Sequence, residues 1–475
     1  MLESTADRRF GAVALGRARR RLEQRLGNSR VLVDAEVCAP FAGDESQLQG
    51  SVPDLVVLAE TGDDLSATLE IAMQEGIPVT PRAGGTGKSG GAIAAEGGIV
   101  LVTLGMNTIK DIDKREGIAV VEPGVVLADL QRAVREQGWY YPPDPASLES
   151  CALGGNVAEN AGGARSFKYG VTGNYVLGIE AFLMGGARVN VGRRTRKGVT
   201  GLDLTSLLVG SEGTLAVFGD ITLKLIAPAA ETVTLVALFS DASRAASSVS
   251  DITGSGLQPA CIELLDATTL QAMRDAGNSI DEGAGAMLFI EVDGLARSCM
   301  GEADRIGEVC LHAGALQVLV ARDQEERQRL WDARRSMSPA IKRLSRFKLS
   351  EDVVVPRGQI PALLDRTGRY CEGQGVRWLA YGHAGDGNLH VNFLWDDPEQ
   401  RRHIDSAAEQ LFRDAVLLGG SLSGEHGIGL LKAPYLSIEQ SGTLIELQRN
   451  LKAVFDPANL LNPGKIFPRS GHGSC

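Results

Sequence analysis

The chain has 475 residues, of which 44% are hydrophobic and 23% are charged, and its formal net charge is −11. This length predicts roughly two to four domains, and the composition is that of a folded globular protein rather than a disordered, collagen-like or membrane-bundle chain. The negative charge argues against nucleic-acid binding, and seven cysteines without a CxxC pair argue against a disulfide framework, a zinc knuckle or an iron–sulfur cluster.

The first 27 residues alternate arginine and glutamate with short apolar pieces and contain no stretch typical of a signal peptide. No run in the sequence approaches the roughly 18 to 20 apolar residues that span a bilayer. We therefore expect a cytoplasmic protein, for which peripheral attachment to a membrane through a partner stays open.

Residues 52–81 read strand, helix, strand. The apolar run at 55–58 is followed by Asp63 and Asp64, which are typical of a helix start, and then by apolar residues at near-helical spacing. This unit leads into a glycine-rich stretch at 81–91 and a buried-looking strand at 98–103. A second glycine-dense stretch, residues 154–163, follows a proline-rich segment and is interpreted as a second loop. Two such loops indicate one long ligand.

The first glycine-rich stretch satisfies G-x-G-x-x-G at residues 85–90, and residues 87–89 imitate the end of a Walker A loop. Neither motif has its context, because no helix is expected after the glycines and Arg82 stands where a P-loop needs glycine. The shared physics remains: glycines let backbone N–H groups approach a diphosphate, and the hydroxyls of Thr86 and Ser89 add donors. We expect an anionic phosphate cofactor here; the alternative is a flexible loop that binds nothing.

The glycine clusters stop after residue 228, where we place a domain boundary. Strands at 233–239, 286–292 and 315–320 alternate with helices, and a long polar helix at 323–346 leads to a strand at 351–355. A hairpin with strands at 377–381 and 389–393 turns around residues 385–387. The segment 455–465 is a proline-punctuated turn.

Three of the six histidines fall in two glycine-rich motifs. On the second hairpin strand, His390 shares one face with Asn388 and Asn392, and the turn folds His383 back toward it. Glu425 and His426 stand in the turn 423–427. Two imidazoles and a carboxylate match a catalytic zinc site, and these donors also suit manganese or iron. The alternative is that the histidines only form hydrogen bonds.

The segments 81–91, 143–147, 154–163, 168–171 and 209–214 closely resemble the FAD-binding domain of the vanillyl-alcohol oxidase superfamily. With Gly382-His-Ala-Gly-Asp-Gly-Asn-Leu-His390 and Gly424-Glu-His-Gly427, the chain resembles the FAD-linked D-2-hydroxyacid dehydrogenases, over about residues 35–468. That family includes the catalytic subunit of glycolate oxidase, D-lactate dehydrogenases and D-2-hydroxyglutarate dehydrogenases.

The resemblance implies an α+β fold with a vanillyl-alcohol oxidase type FAD-binding domain and a cap domain built on a large antiparallel sheet. The expected divisions are an N-terminal arm (1–50), the FAD-binding domain (51–228), the substrate and metal domain (229–430) and a C-terminal segment that returns to the FAD-binding domain (431–475).

The FAD contacts implied by the resemblance are Arg82, Gly84, Gly85, Thr86, Gly87, Ser89, Gly90, Pro143, Asp144, Ser147, Gly154, Asn156, Asn160, Gly163, Gly170 and Val171. No histidine precedes His312, so we expect FAD to be bound non-covalently. We interpret Cys151, the nearby thiol, as a small buried residue.

The resemblance also assigns the metal ligands to His383, His390 and Glu425, and it leaves His426 as the general base. A substrate carboxylate needs a forked cation, for which Arg334 in a Trp-x-x-Arg pattern is the candidate. Further expected substrate contacts are Ser338, Lys348 and Asn392, although Lys348 could equally be a surface residue.

These assignments imply oxidation of a small D-2-hydroxy acid, D-lactate or glycolate first, to its 2-oxo acid by hydride transfer to flavin N5. The alternatives are a D-2-hydroxyglutarate dehydrogenase, a flavin oxidase of alcohols or sugars, and an FAD-binding subunit of a multi-chain glycolate dehydrogenase. The electron acceptor stays open among a quinone, a cytochrome, oxygen and a separate iron–sulfur subunit. Whether the chain forms a homodimer also stays open.

Overall fold

The computed structural model describes residues 10–46, 48–321 and 323–467. The helices are α1 (Ala12–Leu26), α2 (Ala35–Cys38), α3 (Gly62–Glu75), α4 (Leu127–Glu136), α5 (Leu153–Glu159), α6 (Ser166–Tyr169), α7 (Leu204–Leu208), α8 (Ala242–Gly254), α9 (Ala267–Asp275), α10 (Ala296–His312), α11 (Gln324–Ile341), α12 (Ile360–Gln374), α13 (Arg401–Leu417), α14 (Leu436–Glu439) and α15 (Gly442–Phe455). The strands are β1 (Val31–Leu32), β2 (Leu55–Leu58), β3 (Val79–Arg82), β4 (Ile99–Val102), β5 (Ile109–Asp113), β6 (Ile118–Val121), β7 (Val176–Phe182), β8 (Arg188–Gly192), β9 (Val217–Lys224), β10 (Glu231–Phe239), β11 (Cys261–Asp266), β12 (Ala286–Gly294), β13 (Gln317–Val320), β14 (Phe347–Val354), β15 (Arg377–His383) and β16 (Asn388–Trp395).

The chain divides into two compact units. Unit 1 comprises Met1–Ala161, Val171–Pro228 and His426–Cys475, and unit 2 comprises Gly162–Gly170 and Ala229–Glu425. This division differs from the sequence-based one in three places. It falls after Glu425 rather than at residue 430, it assigns residues 162–170 to unit 2, and it does not separate the expected N-terminal arm (1–50) from unit 1.

The segment 162–170 belongs to unit 2 because it bonds to strand β12. Lys168 Nζ lies 2.5 Å from a carboxylate oxygen of Asp293, and the Tyr169 hydroxyl donates to the other oxygen at 2.6 Å. Arg165 forms an ion pair with Glu291 at 2.6 Å. These contacts explain why residues 162–170 belong to unit 2, although the residues on both sides of them in the chain belong to unit 1.

The first sheet of unit 1 has the order β1-β2-β4-β3, in which β2 and β3 pair with β4 in parallel. Helix α3 connects β2 to β3, as the sequence predicts. It begins with a capping box, in which the side chains of Thr61 and Asp64 accept each other's backbone N–H groups. It ends at Gly76, which has a left-handed φ of +69°.

The second sheet of unit 1 is antiparallel, with the order β5-β6-β9-β7-β8. It shares a buried apolar core with α4 and α5, to which Val121, Leu130, Val157, Ile179 and Ile221 contribute. The core therefore joins this sheet to the helix that contains the second glycine-dense stretch.

The C-terminal segment returns to the first sheet of unit 1. The N–H of Val79 donates to the carbonyl of Leu460, and the N–H of Asn462 donates back to Val79. The buried Lys465 Nζ donates to the carbonyl of Ile93 at 2.7 Å. The C-terminal residues thus complete the unit that holds the first glycine-rich loop.

Unit 2 is built on a seven-stranded antiparallel sheet with the order β13-β10-β12-β11-β15-β16-β14. On one face of the sheet, Leu265, Phe289 and Leu379 pack against α9 and α11. Helices α8, α10, α12 and α13 also pack on this sheet. Helix α11 ends at Ile341, five residues before the predicted end, and it contains Pro339, which lacks the N–H for an intrahelical hydrogen bond, in its last turn.

Within the described ranges, no helix combines the length and the apolar character needed to cross a bilayer. The six cysteines in those ranges are free thiols, and all are buried. Burial raises the pKa of Cys151, in keeping with its interpretation as a small buried residue. Cys475 and His472 lie outside the described residues.

Candidate active site

The first glycine-rich loop begins where β3 ends, in unit 1. Gly85 and Gly90 have positive φ values of +69° and +81°, and a Cβ atom on Gly84 would lie 2.8 Å from the carbonyl oxygen of Ser150. These positions favour glycine, because a side chain would be strained or would clash. In the part of the chain that the structure describes, the buried Ser89 Oγ has no hydrogen-bond partner. A glycine-rich backbone beside a hydroxyl without a hydrogen-bond partner could bind a phosphate group.

Arg82 stands at the end of β3, before this loop. Its Nη1 donates to the carbonyl of Gly43 at 2.7 Å, and its guanidinium lies 5.9 Å from the ring centroid of Phe41. Burial lowers the pKa of Arg82, although nearby Asp44 opposes this effect. Thr86 and Gly87 lie in the loop that follows.

Residues 154–159 of the second glycine-dense stretch form a helix, so the interpretation of the whole stretch as a loop is wrong for this part. Helix α5 covers Leu153–Glu159, and its Gly154 is closely packed: a Cβ on this residue would lie 2.7 Å from Pro123 Cβ. Helix α5 ends at Asn160, which has a left-handed φ of 54° and accepts the N–H of Gly173. Close packing in unit 1 accounts for Gly154, whereas a Cβ on Gly155 would make only an ordinary contact, 3.6 Å from Ala83 Cβ.

Other polar atoms of unit 1 that are buried without a hydrogen-bond partner in the described ranges include the Asn156 amide nitrogen and the Ser211 hydroxyl. Buried polar atoms normally find partners, so these atoms fit a bound polar ligand such as FAD. The turn with Pro143, Asp144 and Ser147 precedes α5, and Gln131 Nε2 donates to the carbonyl of Pro143 at 2.8 Å. Val171 lies in unit 1, whereas Gly163 and Gly170 belong to unit 2.

The side chains of His383, His390 and Glu425 meet on one face of the unit 2 sheet. This site face is the one to which β15 and β16 contribute Tyr381, His383, His390 and Asn392. One ligand atom from each lies within 4.8 Å of the others. The two ring centroids are 5.2 Å apart, and Glu425 Oε1 lies 3.4 Å from His383 Nε2 and 3.3 Å from His390 Nε2. This donor set, with two imidazoles and one carboxylate, fits a divalent metal ion with open coordination positions.

The hairpin places the two histidines. Strands β15 and β16 are longer than predicted, and Tyr381 stands opposite His390 while His383 stands opposite Asn388. The turn between them needs close backbone packing, since a Cβ on Gly387 would lie 2.0 Å from the carbonyl oxygen of Val355. The imidazoles therefore share one face at the closed end of the hairpin.

Asp352 holds the loop that brings Glu425 to this face. It lies opposite His390 on β14 and is buried. Its carboxylate accepts the N–H groups of Gly424 and Glu425, each at 2.7 Å, and the hydroxyl of Ser423 at 3.0 Å. Three donors on one carboxylate fix the backbone from which the Glu425 side chain extends.

Sequence reasoning missed Glu263, which contacts two of the predicted site residues. It stands on β11 directly opposite His383, and its oxygens lie 2.5 Å from His383 Nδ1 and 2.5 Å from Arg334 Nη2. A lone glutamate in the otherwise apolar start of the strand, Cys-Ile-Glu-Leu-Leu, was the signal that could have found it. A buried charge needs a partner, and here it has two.

These contacts shift the ionisation of the cluster. Burial by itself raises the pKa of Glu263 and Glu425, but their basic neighbours outweigh burial and hold both pKa values well below the usual range. For His383, burial lowers the pKa, and the two carboxylates raise it well above its usual value. Burial raises the pKa of Asp386 in the hairpin turn to about 6. A proton and a metal ion would therefore compete for His383.

Arg334 lies on α11, and its guanidinium is 5.9 Å from the ring centroid of Tyr381. Lys348 and Asn392 lie on the site face of β14 and β16. Asn392 is fully buried, and its Oδ1 has no hydrogen-bond partner in the described ranges. The side chain of Ser338 lies outside the described ones.

His426, the predicted base, is half-buried and begins the third segment of unit 1. The backbone that follows it is fixed by Glu212, whose carboxylate accepts the N–H groups of Ile428 and Gly429 at 2.8 Å and 2.6 Å. His312 and His403 lie on α10 and α13, are exposed, and take no part in the cluster.

Comparison with known proteins identifies two regions of the chain. Residues 53–192 match the FAD binding domain profile, and residues 228–466 match the profile described as FAD linked oxidases, C-terminal domain. The chain belongs to the FAD-linked oxidase family. It is therefore an FAD-linked oxidoreductase, and the family predicted from the motifs is confirmed.

The FAD-linked oxidases most similar to this chain include proteins named for small hydroxy acids. The glycolate oxidase subunit GlcD of Bacillus subtilis (strain 168) is 38% identical over 432 residues, which cover 90% of this chain and 92% of that protein. A D-lactate dehydrogenase of Anaerostipes hadrus is 33% identical and covers 92% of this chain and 94% of that one.

A solved structure of p-cresol methylhydroxylase with bound substrate superposes with a TM-score of 0.82 at 16% identity, covering 97% of this chain and 98% of that one. This similarity concerns the fold alone, and it confirms the predicted α+β, vanillyl-alcohol oxidase type architecture.

Proposed function

We propose that this FAD-linked oxidase family member oxidises a small D-2-hydroxy acid, D-lactate or glycolate, to the 2-oxo acid. The observation that carries the proposal is the shared contact of Arg334 and His383 with Glu263. Arg334, which can bind a carboxylate, and His383, which belongs to the ligand set of a metal that can bind a hydroxyl group, thus lie on either side of Glu263. A 2-hydroxy acid carries these two groups on adjacent carbons. The names of the glycolate and D-lactate relatives support the same substrate class.

Each of the candidate site residues has a distinct role in this reaction. Arg334 binds the substrate carboxylate, and its Nε is buried without a partner in the described ranges, so a donor is available. His426 accepts the hydroxyl proton. Asn392, with its unsatisfied Oδ1, and Lys348 are the further substrate contacts that we propose, together with Ser338.

Two groups complete the chemistry. FAD, when bound, supplies the hydride acceptor, and a divalent ion, Zn²⁺ first and Mn²⁺ or Fe²⁺ as alternatives, supplies a Lewis acid. His383, His390 and Glu425 would hold the ion. The residues around the glycine-rich loop and α5 would hold FAD non-covalently. The electron acceptor stays open among a quinone, a cytochrome, oxygen and a separate iron–sulfur subunit.

A second candidate is an FAD-binding subunit of a multi-chain glycolate dehydrogenase. The word "subunit" in the name of the Bacillus subtilis relative favours it. A D-2-hydroxyglutarate dehydrogenase is a further alternative, in which Lys348 would serve a second substrate carboxylate. In the multi-chain case, flavin reduction by substrate would require an added protein.

The deciding experiment is anaerobic reduction of the purified flavoprotein by D-lactate, L-lactate, glycolate, D-malate and D-2-hydroxyglutarate. We expect the flavin absorbance to bleach with D-lactate or glycolate and not with L-lactate. Faster reduction by D-2-hydroxyglutarate would select the alternative substrate, and no reduction by any hydroxy acid would contradict the proposal. Chelation of the metal should remove the bleaching while FAD stays bound.

A further inference from the structure

Glu263 is a fully buried charged group near the candidate site. Its side chain is 1% exposed, and each of its two oxygens has a different partner, His383 Nδ1 and Arg334 Nη2. One carboxylate therefore links a proposed metal ligand to the proposed substrate anchor.

The contact with His383 fixes the state of the imidazole. A carboxylate only accepts hydrogen bonds, so Nδ1 must carry the hydrogen that points at Glu263. Nε2 then presents its lone pair when the ring is neutral, and Nε2 is the atom that faces Glu425 at 3.4 Å. A ligand histidine is commonly oriented in this way by a carboxylate behind it.

The contact with Arg334 fixes the guanidinium. Nη2 is bound to Glu263, while Nη1 has only a long contact of 3.7 Å with the sulfur of Met337 and the buried Nε has no partner in the described ranges. A buried donor without a partner is costly, so a ligand that accepts from it is favoured. Glu263 thus leaves the other donors of this arginine for substrate.

We propose that Glu263 is a positioning residue that sets the tautomer of His383 and the orientation of Arg334 at the same time. The inference rests on the proposed function, in which His383 binds the metal and Arg334 binds the substrate. It predicts that metal binding and substrate binding can be altered separately by changing this one side chain.

Glu263→Gln separates the two contacts. An amide offers one acceptor and one donor, and the charged Arg334 should take its oxygen because hydrogen bonds to ions are the stronger ones. The amide N–H₂ then faces His383 Nδ1, which must become the acceptor, so that the hydrogen moves to Nε2. We expect Zn²⁺ to bind the FAD-loaded variant about 10- to 100-fold more weakly by calorimetry, with a smaller change in the KM for D-lactate.

Glu263→Asp gives a different result. It keeps the charge but withdraws the carboxylate by one methylene, so both contacts are lengthened. We expect weaker Zn²⁺ binding together with a raised KM for D-lactate. If both variants bind Zn²⁺ as tightly as the wild type, the inference is overturned.

Glu291→Gln is the matched control. Glu291 is also a buried glutamate on the same sheet, and it pairs with Arg165 and accepts the indole N–H of Trp331. Glu291→Gln removes a buried charge in the same way as Glu263→Gln, but Glu291 contacts neither His383 nor Arg334. We expect Zn²⁺ affinity within about twofold of wild type, because a residue behind a metal site alters metal affinity only when it contacts a ligand.

A measurement on the wild type keeps the inference testable even if the variants fold poorly. Nitrogen-15 labelling of the six histidines should show, in the Zn²⁺-loaded protein, one ring bound through Nε2 with hydrogen on Nδ1 that is assigned to His383. Coordination of His383 through Nδ1 would overturn the inference but not the proposed function. Absence of any Zn²⁺, Mn²⁺ or Fe²⁺ binding in the wild type would overturn both.

Discussion

The carboxylate of Asp352 accepts the backbone N–H of Glu425 at 2.7 Å. The same oxygen accepts the N–H of Gly424, and the carboxylate also binds the Ser423 hydroxyl. A side chain on a strand thus holds a loop that reaches it from more than seventy residues away. The position of the proposed metal ligand Glu425 depends on this contact.

Asp352→Ala should therefore weaken Zn²⁺ binding by about 10- to 100-fold, since an outer partner of a ligand is removed. Asp352→Asn is the graded control, because its oxygen can still accept the two N–H groups while its amide donates to Ser423. We expect the asparagine variant to lie much closer to wild type in a calorimetric Zn²⁺ titration. Equal affinity in all three proteins would show that the loop keeps its position without this carboxylate.

The flavin should be released when the purified protein is precipitated with acid. This expectation follows from the sequence, in which no histidine precedes His312 to form a covalent bond in the FAD-binding region. The yellow colour should appear in the supernatant at about one FAD per chain. Flavin that remains in the denatured pellet would contradict non-covalent binding.

Arg334→Lys should lower kcat/KM for the hydroxy acid by roughly ten- to a hundredfold, or about 1.5 to 3 kcal/mol. Lysine keeps the charge but loses the planar fork that binds a carboxylate and Glu263 together. Arg329→Lys on the same helix is the control, because Arg329 is exposed and has only a distant ion pair with Glu325 at 4.0 Å. Steady-state kinetics that give the same kcat/KM for both variants would move the carboxylate site elsewhere.

His426→Ala should slow anaerobic flavin reduction by about 10²- to 10⁴-fold if His426 is the general base. The competing role is that His426 supports its neighbour Glu425. In that case, the His426→Ala change would lower metal affinity instead. Stopped-flow measurements at saturating Zn²⁺ separate the two roles, because only a metal defect is rescued by added ion. His403→Ala, at an exposed position on α13, should leave the rate unchanged.

Asp266 should make the stability of unit 2 depend on pH. Burial raises its pKa to about 6 in the folded protein, compared with about 3.9 in an unfolded chain. Between these values the folded state holds the proton more tightly, so stability falls as the pH rises through this window. From pH 5 to pH 7 the loss is about 1 kcal/mol in the free energy of unfolding.

The comparison of wild type with Asp266→Asn by urea unfolding isolates this contribution. Tryptophan fluorescence follows mainly unit 2, because Trp331, Trp378 and Trp395 lie there and Trp139 lies in unit 1. We expect the stability of wild type relative to the variant to rise by about 1 kcal/mol from pH 7 to pH 5. A difference that is constant with pH would contradict the raised pKa.

The sequence predicted the parts of the site that are local in the chain. His383 and His390 are joined by a short hairpin, so the alternation of side chains along two strands is enough to bring them to one face. The approach of Glu425 came from the family resemblance, and the structure brings it to the same cluster. Helix α3 was readable because Asp63 and Asp64 mark its start and apolar residues at near-helical spacing follow them.

What the sequence could not predict depends on pairing between distant strands. Glu263 meets His383 only because β11 lies beside β15 in the sheet, a neighbour 120 residues away. Nothing in the local pattern specifies that order. The helix at Leu153–Glu159 was missed for a different reason: glycine disfavours an isolated helix, and close packing against residues such as Pro123 outweighs that preference.

The return of the C-terminal segment to unit 1 has a consequence for synthesis. Synthesis of unit 1 begins first, but the backbone hydrogen bonds of Val79 in its first sheet form only after Leu460 and Asn462 have been made. Unit 2 has all its strands once Glu425 has emerged from the ribosome. During synthesis, the first sheet of unit 1 therefore stays incomplete while some two hundred residues of unit 2 are made, and an incomplete sheet is prone to misassembly. The unit whose synthesis starts first is the last to be completed.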